Sequence, residues 1–139
     1  KTVIQLIEGF LSQWEAHGKE LVSCVWIENN RFIIIAVNES FEKASGCSID
    51  KLMKFMNQIE QKFQINFTDR SLVFYEDEEQ NINFQKFDEI KDSVKSGKIS
   101  AETIIYNTFL NNGMQFKREW KMKAEDSWLS KYFQSKPAY

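Results

Sequence analysis

A chain of 139 residues with 42% apolar and 27% charged side chains has the balance of an ordinary globular protein, which excludes a disordered or collagen-like chain. A net charge of -2 gives no global attraction to nucleic acid or anionic lipid, and no apolar run reaches the ~18 residues that would cross a bilayer. Aromatics are abundant, with 12 Phe, 4 Tyr and 4 Trp, so a sizeable core is expected.

Val3, Leu6, Ile7, Phe10, Leu11 and Trp14 recur at helical spacing, which predicts a first helix ended by Gly18 as a left-handed cap. Residues 21–27 and 31–37 are apolar, β-branched runs joined by Glu28-Asn29-Asn30. Asn tolerates positive φ, so they predict a hairpin. The second run, Phe32 to Val37, is apolar on both faces and predicts a central strand covered by helices. Ile49, Leu52, Met53, Met56, Ile59 and Phe63 form a second helical stripe, with Ser48 as N-cap and Asp50 in the first turn.

Residues 71–75 and 81–84 predict a second hairpin with an acidic loop, Glu76 to Glu79. Phe87, Ile90 and Val94 suggest a short helix closed by Gly97. Residues 103–110 read as a strand and Asn111-Asn112-Gly113 as a turn. From Met114 to Lys123 apolar and polar residues alternate, which argues strand, although the stretch could open as a helix. Residues 126–133 read as a short helix capped by Asp126 or Ser127, and 134–139 as a loose tail. The sum is one α+β domain over residues 1–133, with a mainly antiparallel sheet of about five strands.

The sharpest chemical feature is Ala44-Ser45-Gly46-Cys47-Ser48-Ile49-Asp50, between a strand and a helix. A thiol at a helix N-terminus is a candidate nucleophile, because free N–H groups and the dipole favour the thiolate. His17, the only histidine, would be its base, and the N–H groups of Ser48 and Ile49 its oxyanion donors. The plainer reading makes Cys47 a small buried residue, Gly46 a turn former and Ser48 a cap. Trp14 and Glu39 are further candidates: Trp14-Glu15-Ala16-His17 could present His17 at a cleft rim, and Glu39, after the central strand, could orient it. The plain alternatives are a surface His and a solvated carboxylate.

Lys117, Arg118, Lys121 and Lys123 interleave with Phe116 and Trp120, as in single-strand nucleic-acid binders, but the aromatics share a core-like face with Met114 and Met122. The acidic loop lacks calcium-loop spacing. One His and two Cys do not make a four-ligand zinc site, and Cys24 and Cys47 are too few for a disulfide framework. No metal, no cofactor, no signal peptide and a cytoplasmic location are expected. The chain does not begin with Met, which leaves a preceding segment open.

Trp14-x-x-His17-Gly18, Asn30-Arg31-Phe32, the Ala-Ser-Gly-Cys-Ser-Ile-Asp string and Asp126-Ser127-Trp128 together resemble a family of short uncharacterised bacterial proteins, over nearly the whole chain. Some members carry an automatic "ABC transporter ATPase" label. This chain has no Gly-x-Gly and no phosphate-cradling Gly-x4-Gly-Lys-Ser/Thr loop, which argues against that activity. Members begin with an additional Trp-Ile-Tyr-Gln-like strand, absent here, and often have His where Leu129 stands. The resemblance implies no activity. It implies that His17, Cys47, Ser48, Asp50, Ser127 and Trp128 are the positions to test.

The sequence therefore predicts a non-catalytic binding or interaction domain for a protein or small-molecule partner, a second copy of itself included. Two alternatives stand beside it: a thiol enzyme using Cys47 with His17, and single-strand nucleic-acid binding through residues 114–123. The sequence leaves open whether the protein is an enzyme.

Overall fold

The computed structural model describes residues 2–134. The fold is α+β with antiparallel sheets. Contacts divide the chain into two compact units, Lys1–Thr68 and Asp69–Tyr139. Apart from Gln134, the tail expected at 134–139 lies outside the described residues.

In the N-terminal unit, helix α1 (Val3–Leu11) starts at Thr2 with a reciprocal cap: Gln5 N–H donates to the Thr2 hydroxyl at 3.2 Å, and Thr2 N–H donates to the Gln5 side chain at 3.0 Å. The helix does not run on to Gly18. It stops at Leu11, and the chain turns into a small ladder of β1 (Glu15–Ala16) and β2 (Lys19–Glu20). His17 and Gly18 form its turn, with φ of 55° and 75°. Trp14 fits the helical stripe, but Trp14 and Ala16, both buried, fit a period of two equally well. A short window cannot separate the two periods.

Strands β3 (Ser23–Glu28) and β4 (Phe32–Val37) pair from Ser23 opposite Val37 to Glu28 opposite Phe32, the hairpin the sequence predicted. Asn29 and Asn30 have φ of 53° and 55°, and Arg31 N–H donates to the Glu28 carbonyl at 3.1 Å. The expected central position of β4 is corrected: among the described residues it pairs with β3 alone. Ile33, Ile35 and Val37 pack on the unit's core but are only half-buried, as are the alternate residues Ile34 and Ala36, and Phe32 alone is buried. An apolar run with a single strand partner is left partly exposed on both faces.

Helix α2 (Gly46–Phe63) lays Met56 and Ile59 into a core with Ile7, Leu11, Trp14, Ala16 and Leu21. Its N-cap is Ser45, not Ser48, and Asp50 lies past the first turn. Beyond α2, the Glu60 carboxylate accepts the N–H groups of Phe67 at 3.0 Å and Thr68 at 3.2 Å, together with the Thr68 hydroxyl.

The C-terminal unit is built on a four-stranded antiparallel sheet in the order β6-β5-β7-β8. Its members are β5 (Leu72–Glu76), β6 (Ile82–Lys86), β7 (Ile104–Tyr106) and β8 (Lys121–Lys123). The expected β5–β6 hairpin is present. Asp77 holds its turn by accepting the N–H groups of Glu79 and Asn81, each at 2.9 Å, and the Asn83 amide at 2.8 Å. Helix α3 (Ile90–Lys95) follows one 3-10 turn and is closed by Gly97 at φ 80°.

Three expectations are corrected in this unit. The strand predicted over 103–110 shrinks to β7. The strand argued by alternation from Met114 holds only at β8: the 111–113 turn leads into helix α4 (Gly113–Glu119), because the Asn112 side chain accepts Gln115 N–H at 2.9 Å and caps it. The predicted helix over 126–133 does not form: one 3-10 turn (Ala124–Asp126) ends at its start and another (Ser130–Tyr132) follows, because the Ser127 hydroxyl donates to Ala124 O at 2.8 Å and accepts Leu129 N–H at 3.1 Å. A serine that bonds its own backbone competes with helix continuation. The core gathers Val73, Tyr75, Ile90, Ile99, Ile105, Ala124 and Leu129.

Candidate functional site

In the 44–50 motif most of the polar groups are spent on the chain itself. Ser48 N–H donates to the Ser45 hydroxyl at 3.1 Å, and Ser45 N–H donates to the Ser48 hydroxyl at 2.7 Å. Ile49 N–H donates to the Ser45 carbonyl at 3.0 Å. The two N–H groups expected to hold an oxyanion are thus the second half of a capping box and the first bond of the helix. Ser48 is 2% exposed, and its carbonyl accepts the buried Trp14 indole N–H at 2.8 Å. Trp14 and Ser48 therefore dock the start of α2 on the core of their unit.

Cys47 is exposed in the first turn of α2, which overturns the expectation of a small buried residue. His17 is exposed in the β1–β2 turn rather than at a helix end. Among the described residues no hydrogen bond joins His17 to Cys47 or to Glu39. Glu39 accepts Ala44 N–H at 3.0 Å and so braces the loop before α2. Asp50 is exposed on the helix. The motif yields an accessible thiol without a coupled base and with its presumed donors already occupied.

The C-terminal unit presents a different arrangement. A shallow, open cleft of about 500 Å³ is lined by Asn107, Phe109, Glu119, Met122, Asp126, Ser127 and Trp128. Asn107 organises one wall as β7 ends: its N–H donates to Trp120 O at 2.8 Å, and its side-chain oxygen accepts Phe109 N–H at 2.9 Å. That local turn holds Phe109 half out of the protein, at 49% exposure. The Phe109 and Trp128 rings meet edge to face, with centroids 5.5 Å apart and planes at 88°. Met122 comes from β8, with its sulfur 3.9 Å from the Asn107 amide nitrogen.

Two carboxylates complete the lining. Glu119 is the last residue of α4, and Asp126 ends the 3-10 turn Ala124–Asp126. Neither has an ion-pair partner among the described residues. Ser127 uses its hydroxyl locally, as described above. The Trp128 indole nitrogen is buried and has no acceptor among the described residues. Sequence reasoning found Ser127 and Trp128 through the resemblance and named Asp126 only as a cap. It missed Asn107, Phe109 and Glu119 as site residues and took Met122 for core. The available signal was an Asn two residues before an aromatic at a strand end, which is an Asx-turn pattern.

Strand alternation sets Lys121 on the opposite face of β8 from Met122. There the Tyr106 hydroxyl donates to Glu76 at 2.6 Å, and the Lys121 ammonium lies 3.5 Å from the same carboxylate oxygen. Burial, then the Glu76 hydrogen bond and charge, hold the Tyr106 phenol far above its ordinary range. This network ties three strands together.

The basic stretch 114–123 divides between α4 and β8. Trp120 is buried, with its ring 5.5 Å from Tyr106 and 5.4 Å from Phe116, so it is no open platform for a base. Among the described residues no group of three or more His, Cys, Asp or Glu could hold a metal ion, and no helix is long and apolar enough to cross a membrane. No protein-family model matches the chain, and neither does a curated protein or a solved structure.

Proposed function

We propose that this chain is a non-catalytic binding protein and that its ligand site is the cleft of the C-terminal unit. One observation carries the reading: the cleft combines an aromatic corner and a thioether with two carboxylates that have no counter-ion among the described residues. Apolar walls with a few polar groups are the usual make-up of a ligand pocket. No nucleophile and base are coupled there, which favours recognition over catalysis.

The test is NMR on the intact chain, reading Met methyl and Trp indole signals while butanol, butylammonium or butyrate is added. The three probes share one chain and differ in charge. At least one should shift the Met122 methyl and the Trp128 indole together and to saturation. If all three leave both signals in place, the cleft is not a ligand site. The thiol alternative draws its support from the exposure of Cys47. Iodoacetamide modifying Cys47 about tenfold faster than the exposed Cys24 would move thiol chemistry ahead of binding.

A further inference from the structure

We infer that the cleft takes the cationic side chain of a basic peptide segment. The inference rests on the binding reading above and names its ligand class. Glu119 and Asp126 supply negative charge at the cleft with no cation of the described chain paired to them. Lys121 is committed to Glu76, and the Lys123 ammonium lies 3.9 Å from Glu102. Lys117 and Arg118 precede Glu119 on α4 and suit the negative end of the helix, whereas Glu119 does not. Adjacent helix positions do not face one another, so these two do not neutralise Glu119 directly.

The perpendicular rings of Phe109 and Trp128 add what a cation recognises beyond charge. A ring face attracts an ammonium or guanidinium group, and the methylenes of such a side chain pack on Met122. An anionic ligand would meet two carboxylates, and a purely apolar one would desolvate them without compensation. A peptide is favoured over a small free cation because the cleft is shallow and open and, beside the cation, offers the half-exposed Phe109 ring to flanking chain. The open shape of the cleft admits a chain passing through it.

The experiment titrates the full chain with Nα-acetyl-lysine methylamide, its norleucine and glutamate counterparts, and butylammonium. Shifts of the Trp128 indole and Met122 methyl are followed, and Trp128→Phe identifies the indole signal. Blocked lysine should bind about fivefold or more tightly than blocked norleucine and, through the flanking chain's contacts, about threefold more tightly than butylammonium. About 0.5 M salt should weaken it. The combined Glu119→Gln and Asp126→Asn variant should lose the preference for lysine while keeping a folded amide spectrum. Norleucine binding as tightly as lysine overturns the cationic assignment and leaves a binding cleft. Butylammonium binding as tightly as blocked lysine overturns the peptide. Silence from every probe overturns the binding reading itself. The lysine–norleucine comparison uses the unaltered protein, so it decides even if the variant does not fold.

Discussion

The start of α2 spends most of its polar groups on itself, whereas the cleft of the C-terminal unit leaves several without a protein partner among the described residues. Around Cys47, the Ser45 and Ser48 hydroxyls, the N–H groups of Ser45, Ser48 and Ile49, and the Trp14 indole are all bonded, and the result is a well-capped helix docked on its core. Around Trp128, two carboxylates and an indole N–H have no partner among the described residues. Groups bonded to one another stabilise a fold, whereas carboxylates left to solvent beside an aromatic corner are free to meet a ligand. The more conspicuous string of residues is thus the structural one, and the quieter set, scattered over residues 107–128, is the candidate site.

Paired tryptophan substitutions should break or confirm that contrast most strongly. Trp14→Ala should cost about 3–5 kcal/mol in a denaturant melt, because a large core side chain is lost. Trp14→Phe should cost about 1–3 kcal/mol by leaving the buried Ser48 carbonyl without its donor. Trp128→Phe should stay within ~1 kcal/mol of the parent, since it removes an N–H that has no acceptor among the described residues. Equal costs for the two Phe variants would mean that the Trp128 indole is bonded as Trp14 is, and the contrast would be lost.

The capping box sharpens the same comparison at smaller scale. Ser45→Ala should cost about 1 kcal/mol, whereas Cys47→Ala, at an exposed first-turn position, should stay within ~0.5 kcal/mol. A large loss at Cys47 would show that its side chain has a structural duty after all. Iodoacetamide should modify Cys47 in the folded protein without denaturant, since it is exposed; protection until unfolding would contradict the observed exposure.

Two pH effects are smaller. The raised Tyr106 phenol means that the fold favours the neutral form. Its contribution is present below the ordinary phenol value near ~10 and is lost as pH rises through the folded value. Ultraviolet titration should therefore find Tyr106 silent where a free tyrosine ionises, and Glu76→Gln should bring its ionisation down. A phenolate signal from Tyr106 near pH ~10 in the parent would contradict the network. The Asp77 carboxyl is held below its usual range, chiefly by the Asn81 N–H. Its contribution is present above ~4 and fades as pH falls through the folded value, and Asp77→Asn should flatten that part of the acid melt.

Much of the fold was legible because local rules act at short range. Asn29-Asn30 demanded a positive-φ turn, Gly97 a left-handed stop, and the stripe from Leu52 to Phe63 a helix. The failures came where two local signals compete. Trp14 satisfied both periods, and only its place in the core showed which one held. At residues 114–119 an alternating pattern lost to the Asn112 cap, which starts a helix the pattern does not show. At 126–133 the Ser127 hydroxyl captured backbone groups that a helix would have needed.

By itself the sequence determined the class of the fold, its two long hairpins, the helix at 46–63, and the residues rare enough to notice. It also narrowed the search to Ser127 and Trp128 on one side and Cys47 and His17 on the other. Tertiary structure alone decided which of these groups are spent. Ser48 looks identical in sequence whether its carbonyl is open or bonded, and only the packing of Trp14 against it settles that. Glu119 and Phe109 lie ten residues apart in the chain, and only the return of the chain through α4 and β8 brings them to one cleft. The Ser45–Ser48 box is a local pattern, but the Trp14 bond to Ser48 and the gathering of the cleft depend on three-dimensional neighbours that local pattern does not supply.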